Sequence, residues 1–235
     1  MLRYIDHQKM GRASEGWLDS HFHFSFADYC NPENIRFGVL RVLNDDLVQP
    51  GTGFEAHPHA NMEIISYVID GALTHADNMG NQRTLTRGQV QYMSAGTGVI
   101  HSEYNHGAEL LRFLQVWIVP DEKGITPNYG DLPLTFSDRE NRWLQIATGV
   151  KNQKSEAPIR IHADVNVYAA LIHRDQPLTF AVEAQRQAYL VVIEGRAVVN
   201  TITLSMRDAL EVTEETIRIV PEDTAHVLLI EMAKA

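Results

Sequence analysis

Short segments rich in β-branched and aromatic residues recur along the chain, and turn-forming residues separate them. Segments with the 3.6-residue apolar period of a helix are scarce, so short helices are predicted only over 27–35 and at the extreme C-terminus. Strands are predicted over residues 36–43, 62–69, 72–77, 82–85 and 110–119. The dipeptide Asp70-Gly71 predicts a hairpin between two of them. Short strands with turns at regular spacing predict an all-β barrel or sandwich.

The second half of the chain repeats the pattern of the first. Residues 189–195 resemble residues 66–71, and residues 206–210 correspond in position to residues 86–90. A duplicated β-barrel unit explains both matches. The alternative is that any two β-hairpins look alike at this level of detail.

A connecting segment is predicted over 120–142, where prolines and glycines accumulate and no periodicity is present. A connecting segment near the middle of the chain predicts two domains. We expect an N-terminal barrel with the metal site over residues 1–125 and a C-terminal barrel without a metal site over residues 126–235.

Composition narrows the class of protein. Hydrophobic residues make up 44% of the 235 residues and charged residues 21%, which is ordinary for a globular protein. The net charge of -10 and the lack of a basic run argue against direct nucleic-acid binding, but they leave a protein partner open. No apolar run approaches the roughly 18 residues that span a membrane. The start lacks the pattern of a signal peptide, so we expect a cytoplasmic protein.

Two short segments carry the candidate chemistry. His57 and His59 flank Pro58, and side chains two residues apart on a strand point the same way. Pro58 cannot donate to a sheet ladder, so this segment is predicted at an edge, a strand start or a bulge. His101 and Glu103 have the same spacing. If the two segments lie side by side, three nitrogens and one oxygen converge, which suits a divalent first-row transition metal.

The context of the first pair is more specific than its spacing. The pattern Gly51-x5-His57-x-His59-x3-Glu63-x7-Gly71 resembles the first of the two cupin motifs. The usual motif has six residues between its glutamate and the closing glycine, whereas seven follow Glu63. This difference argues against Glu63 as the carboxylate ligand.

The second segment lies in the pattern Gly88-x5-Ser94-x-Gly96-x4-His101, which resembles the second cupin motif and follows the first at a hairpin's distance. The motif usually has proline where Ser94 stands, and a shorter gap before the histidine. Glu103, directly in phase with His101, is therefore the better candidate for a fourth ligand.

Further segments resemble the pirin family, and in particular bacterial pirin-like quercetin 2,3-dioxygenases. The similarity is detailed over the first half of the chain and holds only in outline beyond it. The segments that carry it are residues 16–20 (GWLDS), 24–29 (FSFADY), 40–46 (LRVLNDD), 57–63 (HPHANME) and 93–105 (MSAGTGVIHSEYN).

This resemblance implies an all-β bicupin, in which two tandem cupin barrels of the double-stranded β-helix or jelly-roll type share one chain. It also implies one metal ion, held in the N-terminal barrel by the set that the spacing selects, His57, His59, His101 and Glu103. Fe2+ is the usual assignment, and Cu, Ni, Co, Mn and Zn are accepted. The second half holds only the single histidines His162, His173 and His226, so no second metal site is predicted there.

Two functions compete. By similarity, a flavonol such as quercetin would chelate the metal, lose its hydroxyl proton to Glu103 and be cleaved by dioxygen with loss of carbon monoxide. Glu103 could alternatively be a ligand alone. In the second function the same ligands form a redox switch in a non-enzymatic regulator that binds a protein partner, as eukaryotic members of the family do. A weaker third function is a cupin isomerase or a sugar-binding protein with a structural metal.

The sequence also predicts where a few other side chains lie in the fold. Phe24, Phe26 and Phe54 either line an apolar pocket above the metal or belong to the core. His75 and His106 are expected at the surface.

Overall fold

The computed structural model describes residues 1–151 and 155–234, which form β-strands and two short 3₁₀ helices, His7–Lys9 and Phe136–Asp138. The strands in chain order are β1 Leu2–Ile5, β2 Gly11–Ser14, β3 Leu18–Phe22, β4 Leu40–Val48, β5 Thr52–His59, β6 Glu63–Asp70, β7 Ala72–Asp77, β8 Gln82–Thr86, β9 Val90–Ser94, β10 Val99–Asn105, β11 Leu111–Ile118, β12 Asn128–Leu132, β13 Leu144–Thr148, β14 Ile159–Arg160, β15 Val165–His173, β16 Leu178–Ala181, β17 Arg186–Val199, β18 Ile202–Ser205, β19 Ala209–Thr213 and β20 Thr216–Ala233. The all-β prediction is confirmed.

The predicted hairpin at Asp70-Gly71 is present between β6 and β7. Gly71 has a φ of +74°, a backbone conformation that residues other than glycine rarely adopt. A Cβ atom at this position would also lie 2.6 Å from the carbonyl oxygen of Leu110. Backbone conformation and close packing therefore both require glycine at this turn.

Both predicted helices are wrong. Residues 27–35 form turns, because Ser25 and Asn34 hydrogen-bond to nearby backbone groups and compete with helix formation. The C-terminus is the 18-residue strand β20, which pairs with β15 on one side and β17 on the other. A strand buried on both faces is a continuous apolar run without alternation, which sequence periodicity does not distinguish from a buried helix.

The described residues group into two compact units. The N-terminal unit comprises Met10–Leu134 and Ile161–Ala163, and the C-terminal unit comprises Met1–Lys9, Thr135–Arg160 and Asp164–Ala235. The limits expected from the sequence, 1–125 and 126–235, stay a prediction.

The N-terminal unit contains two antiparallel sheets. One has the strand order β12-β9-β6-β11-β4-β3-β2, and the other has the order β5-β10-β7-β8. Apolar side chains from both sheets meet in one buried cluster formed by Val48, Val68, Leu73, Leu85, Leu111 and Phe113. A smaller buried cluster in the same unit is formed by Ile64, Met93 and Val99.

The C-terminal unit contains a single sheet of nine strands in the order β1-β19-β17-β20-β15-β13-β14, with β16 beside β20 and β18 beside β17. Residues 189–195 resemble a strand that ends in a turn, but β17 continues through Glu194 and Gly195. The pairing with β20 shifts on either side of Gly195, whose φ is +82°. The dipeptide therefore forms a bulge that bends a long strand, and it does not form a hairpin.

Local hydrogen bonds support the predicted duplication. In the N-terminal unit Gly88 N donates to Val68 O at 2.8 Å, and Val68 N donates to Gln89 O at 3.0 Å. In the C-terminal unit Arg207 N donates to Val192 O at 2.7 Å, and Val192 N donates to Asp208 O at 3.0 Å. The same two bonds thus close the same kind of turn, with the correspondence moved by one residue from the one that the sequence suggested.

No helix among the described residues is long and apolar enough to cross a membrane.

Candidate metal centre

The two predicted ligand segments lie side by side in the four-stranded sheet. β5 carries His57 and His59, β10 carries His101 and Glu103, and antiparallel pairing places His101 opposite His57. β5 is at the edge of this sheet, where the missing N–H of Pro58 costs no bond to a further strand. The expected position of Pro58 at an edge is confirmed.

Three imidazoles converge on one space. The ring centroids of His57 and His59 are 4.8 Å apart, those of His57 and His101 are 4.6 Å apart, and those of His59 and His101 are 4.9 Å apart. One nitrogen from each ring lies within 4.8 Å of the other two. The indole of Trp117 packs edge-on against His59, with 4.8 Å between ring centroids.

Glu103 lies beside this triad and is fully buried. One of its oxygens lies within 4.8 Å of ring nitrogens of His101 and His75, so it groups with these two rings and not with the pair on β5. Its Oε1 accepts hydrogen bonds from Ser66 Oγ at 2.7 Å and Gln91 Nε2 at 2.8 Å. Its Oε2 accepts one from Gln115 Nε2 at 2.6 Å.

Sequence reasoning missed these three donors to Glu103. Ser66, Gln91 and Gln115 are polar residues inside the otherwise mostly buried strands β6, β9 and β11. Buried polar side chains need partners, so a polar residue inside a buried run could have identified them. Together they hold the carboxylate in one orientation with neutral donors.

The electrostatics favour neutral imidazoles. Burial, together with the neighbouring His101 and His57, lowers the pKa of His59 to about 4. Burial, together with His57 and His75, lowers the pKa of His101 to about 3. A neutral ring offers a nitrogen lone pair, which is the form that binds a metal ion.

The hydrogen bonds of the triad also leave nitrogens available to a metal. His57 Nδ1 lies 2.6 Å from the carbonyl oxygen of Glu55, an acceptor, so Nδ1 carries a proton and Nε2 is the ring nitrogen left for a metal. His101 Nε2 is buried and has no hydrogen-bond partner among the described residues. A buried nitrogen without a partner, aimed at a cluster of imidazoles, fits a divalent transition metal.

A cavity of about 800 Å³ opens in the N-terminal unit beside this group, and His57 and Glu103 form part of its wall. Most of the wall is apolar, as in typical sites for small aromatic ligands. Its aromatic side chains are Trp17, Phe22, Phe26, Phe54, Tyr104 and Trp117. Of the three phenylalanines considered from the sequence, Phe26 and Phe54 line the cavity, while Phe24 is buried in the core.

Another buried carboxyl group, Asp46, lies on the same cavity wall and was not singled out by the sequence. It is buried and accepts a hydrogen bond from Ser20, and the described residues offer it no salt bridge. Burial raises its pKa to about 7; Asp45 and Glu103 add to this effect, and the Ser20 bond opposes it. Asp46 can therefore hold a proton near neutral pH.

Glu63, which the motif spacing disfavoured as a ligand, has other partners. Its Oε2 accepts a hydrogen bond from Ser94 at 2.6 Å, and its Oε1 lies 3.2 Å from His162 Nδ1. Burial raises its pKa, against the opposing effect of these two partners.

The prediction that His75 lies at the surface is wrong, because the residue is completely buried. Its Nε2 lies 3.0 Å from Asp77 Oδ2, and its ring stacks on Tyr129 with 4.4 Å between centroids and 15° between planes. His106 is exposed as predicted and stacks on Tyr104.

The remaining single histidines each face a glutamate. His173 Nε2 lies 2.7 Å from Glu140, and His226 Nδ1 lies 2.9 Å from Glu194. No group of three ligand-type side chains in the described part of the chain includes His162, His173 or His226. The C-terminal unit has one such group, Asp6, His7 and Asp208.

Comparisons with known proteins place the chain in a family. Residues 5–118 match the family model for Pirin, and residues 145–232 match the model for the quercetinase C-terminal cupin domain. The resemblance to pirins and the bicupin architecture predicted from the sequence are thereby confirmed.

Similar proteins cover nearly the whole chain. A Pseudomonas aeruginosa protein provisionally named quercetin 2,3-dioxygenase PA1210 is 45% identical over 234 residues, 99% of this chain and 100% of its own. The quercetin 2,3-dioxygenase of Escherichia coli K12 is 37% identical over 224 residues, 94% of each chain. The crystal structure of the bacterial pirin YhhW from Escherichia coli in complex with nickel(II) matches with a TM-score of 0.92 and 34% identity, and the match covers 100% of both chains.

Proposed function

We propose that this chain, which belongs to the pirin family, is a metal-dependent dioxygenase that cleaves quercetin or a similar flavonol. The observation that carries the proposal is one arrangement. Three imidazoles converge on one space with the buried carboxyl group of Glu103 beside His101, and His57 and Glu103 form part of the wall of a large cavity with aromatic sides.

The metal would be held by His57, His59 and His101, with Glu103 as the fourth ligand. Fe2+ is our first candidate, and Cu, Ni, Co, Mn and Zn suit the same donors. When bound, a divalent ion supplies Lewis acidity and a template for the hydroxyl and carbonyl oxygens of a flavonol.

The residues of the cavity would bind and orient the substrate. A flavonol is flat and aromatic, and ring faces and edges of Trp17, Phe26 and Phe54 are available along the wall. A volume of about 800 Å³ exceeds the space that one flavonol fills, and it lies in the range of ordinary small-molecule sites. The apolar part of the wall would keep water away from much of the bound ring.

Glu103 would accept the proton of the substrate hydroxyl. Ser66, Gln91 and Gln115 fix both of its oxygens, so the carboxylate is already oriented before substrate arrives. Removal of this proton places electron density on the ring that dioxygen attacks. One flavonol and one dioxygen would then yield one ring-opened ester and one carbon monoxide, with all atoms accounted for.

The test uses the full chain, stripped of metal and reloaded separately with each of the six candidate ions. Quercetin in air should lose its visible absorption, and carbon monoxide should appear in equal amount. The variant His59→Ala should abolish both signals. The matched control His106→Ala, at an exposed histidine outside the triad, should leave them unchanged.

Absence of turnover with every ion would reject the dioxygenase. A partner protein that binds only one oxidation state of the metal-loaded chain would then favour the redox-dependent regulator. Metal content of the chain as isolated, by elemental analysis, identifies the native ion.

Glu103→Gln separates the proton acceptor from the ligand. We expect the three imidazoles to retain the metal while turnover falls by about 100-fold or more, the usual size of a general-base effect. Metal content and turnover are measured on the same sample. Turnover near the wild-type rate with metal bound would show that Glu103 is not the base.

A cytoplasmic location, the lack of nucleic-acid binding and a protein partner stay predictions of the sequence.

A further inference from the structure

A chain of buried contacts runs from the metal-facing His101 to Asp77, away from the cavity. His101 Nδ1 lies 3.4 Å from His75 Nδ1, at the long end of hydrogen-bonding distances, and His75 Nε2 lies 3.0 Å from Asp77 Oδ2. The strands that carry them, β10 and β7, are paired, with His101 opposite Asp77 and Glu103 opposite His75. The side chains of His75 and Asp77 are completely inaccessible to solvent.

The direction of each hydrogen bond follows from Asp77. Its oxygens accept hydrogen bonds from the backbone amides of Met79 and Asn81 and from the side-chain amide of Asn81. A carboxylate surrounded by N–H donors is an acceptor, so the contact with His75 requires a proton on His75 Nε2.

The contact with Asp77 then links the tautomers of both histidines. In the neutral form of His75 the single ring proton is on Nε2, so Nδ1 has a lone pair and accepts. Its contact with His101 Nδ1 is a hydrogen bond only if His101 Nδ1 carries the proton. His101 Nε2 is left with a lone pair, and this is the buried nitrogen without a hydrogen-bond partner.

We propose that Asp77 and His75 are positioning residues that hold His101 as the Nδ1–H tautomer, so that His101 Nε2 is presented to the metal. The proposal rests on the metal site of the proposed function, and it is independent of which substrate is cleaved. Groups that hydrogen-bond to a metal-binding histidine without touching the metal fix its ring orientation and its basicity.

Two neighbouring contacts fit this role. Tyr129 stacks on the ring of His75 and fixes its plane, and the Tyr129 hydroxyl donates to Gln91 Oε1 at 3.1 Å. Gln91 in turn donates to Glu103. His57 has the same tautomer by a different route, because its Nδ1 donates to the carbonyl of Glu55.

The first measurement is the side-chain ¹⁵N NMR spectrum of the full chain, without metal and with Zn²⁺, which is diamagnetic. We expect His75 as the Nε2–H tautomer and His101 as the Nδ1–H tautomer in the metal-free protein. Zn²⁺ should shift His101 Nε2 strongly and should leave both nitrogens of His75 as non-ligands.

Either histidine in the opposite tautomer would overturn the proposal. A zinc-induced shift of His75 Nδ1 that marks direct coordination would also overturn it, because His75 would then be a ligand in its own right. A merely structural role for His75 predicts no fixed tautomer for His101.

The second measurement is zinc affinity, by competition with a chelator. Asp77→Asn keeps an oxygen for the turn amides but places an N–H group against His75 Nε2, which reverses the hydrogen-bond chain. The affinity for zinc should fall by about 10–100-fold, which is the usual loss when a group that hydrogen-bonds to a metal ligand is replaced. The control Asp131→Asn removes the same charge from an exposed position in the same unit and should change affinity less than twofold.

These outcomes are distinguishable from a failure of the proposed function. If quercetin is not cleaved but the tautomers and the affinity loss are as expected, the positioning role stands and the substrate is wrong. If Asp77→Asn binds zinc as tightly as the wild type, the positioning role is wrong even when turnover is observed.

Discussion

The two units differ in how many polar side chains they bury. The sixteen buried residues that form the core cluster of the C-terminal unit are all aliphatic, from Ala170 to Leu229. Among the described residues, the N-terminal unit buries more polar and ionisable groups than the C-terminal unit, and it contains the large cavity. Its buried polar residues include Ser20, Asn44, Asp46, Ser66, His75, Gln91, His101, Glu103 and Gln115.

This difference shows how a duplicated β framework can be specialised. The turns at Gly88 and Arg207 close with equivalent hydrogen bonds, so strand and turn chemistry is shared. Function depends on which residues face inward. Aliphatic side chains bury area and stabilise, while buried carboxyl and imidazole groups lose solvation and create a reactive site. We therefore expect stability to be concentrated in one unit and chemistry in the other.

The greatest change in stability is expected from a substitution in the C-terminal unit. Leu190→Ala removes a completely buried side chain from the aliphatic cluster and should lower the free energy of unfolding by about 2–5 kcal/mol. Urea denaturation followed by circular dichroism measures it. Metal content should stay at the wild-type value.

The control for this substitution is Leu110→Ala, at an exposed leucine, which should change the free energy of unfolding by less than about 0.5 kcal/mol. A Leu190→Ala protein that folds normally but has lost its metal would contradict the separation of stability from chemistry, because the C-terminal unit would then support the metal site.

The next effect belongs to the N-terminal unit. Saturating metal, at a free concentration 100 times its Kd, should raise the free energy of unfolding by about 2.7 kcal/mol, because it binds only the folded site. His59→Ala should lose this increment and Leu190→Ala should keep it. Thermal unfolding with and without metal measures the shift. An equal shift in His59→Ala would mean that the metal binds elsewhere.

The smallest effect comes from Asp46. An aspartate in the unfolded chain ionises near pH 3.8, whereas burial raises the pKa of Asp46 in the folded protein to about 7. The folded state therefore binds more protons between these values, and its stability falls as the pH rises from about 4 to about 7.

Asp46→Asn removes this titration. At pH 8 the variant should be more stable than the wild type by about 1–3 kcal/mol, and the gain should shrink toward pH 4. The measurement is urea denaturation of metal-free protein at several pH values, with Asp131→Asn as the exposed control. Parallel stability profiles against pH for Asp46→Asn and wild type would show that folding does not raise the pKa of Asp46.

The local pattern of the chain was enough to predict the strands and the main ligand candidates. Side chains alternate along a strand, so His57 and His59 share a face, and so do His101 and Glu103, whatever the rest of the fold does. Turn residues such as Gly71 are also local, because their backbone conformation limits which residue fits.

Other features depend on partners distant in the chain, and they became visible only in the folded protein. Burial of His75 follows from the pairing of β7 with β10 and from the ring of Tyr129. The partners of Glu103 come from β6, β9 and β11, and Asp46 meets Ser20 across two strands. The C-terminal strand was predicted as a helix because both of its faces are buried by neighbouring strands. Its sequence is therefore an apolar run without the alternation that identifies a strand. Alternation fixes where a side chain points, but the charge and protonation of a buried group depend on what it meets there.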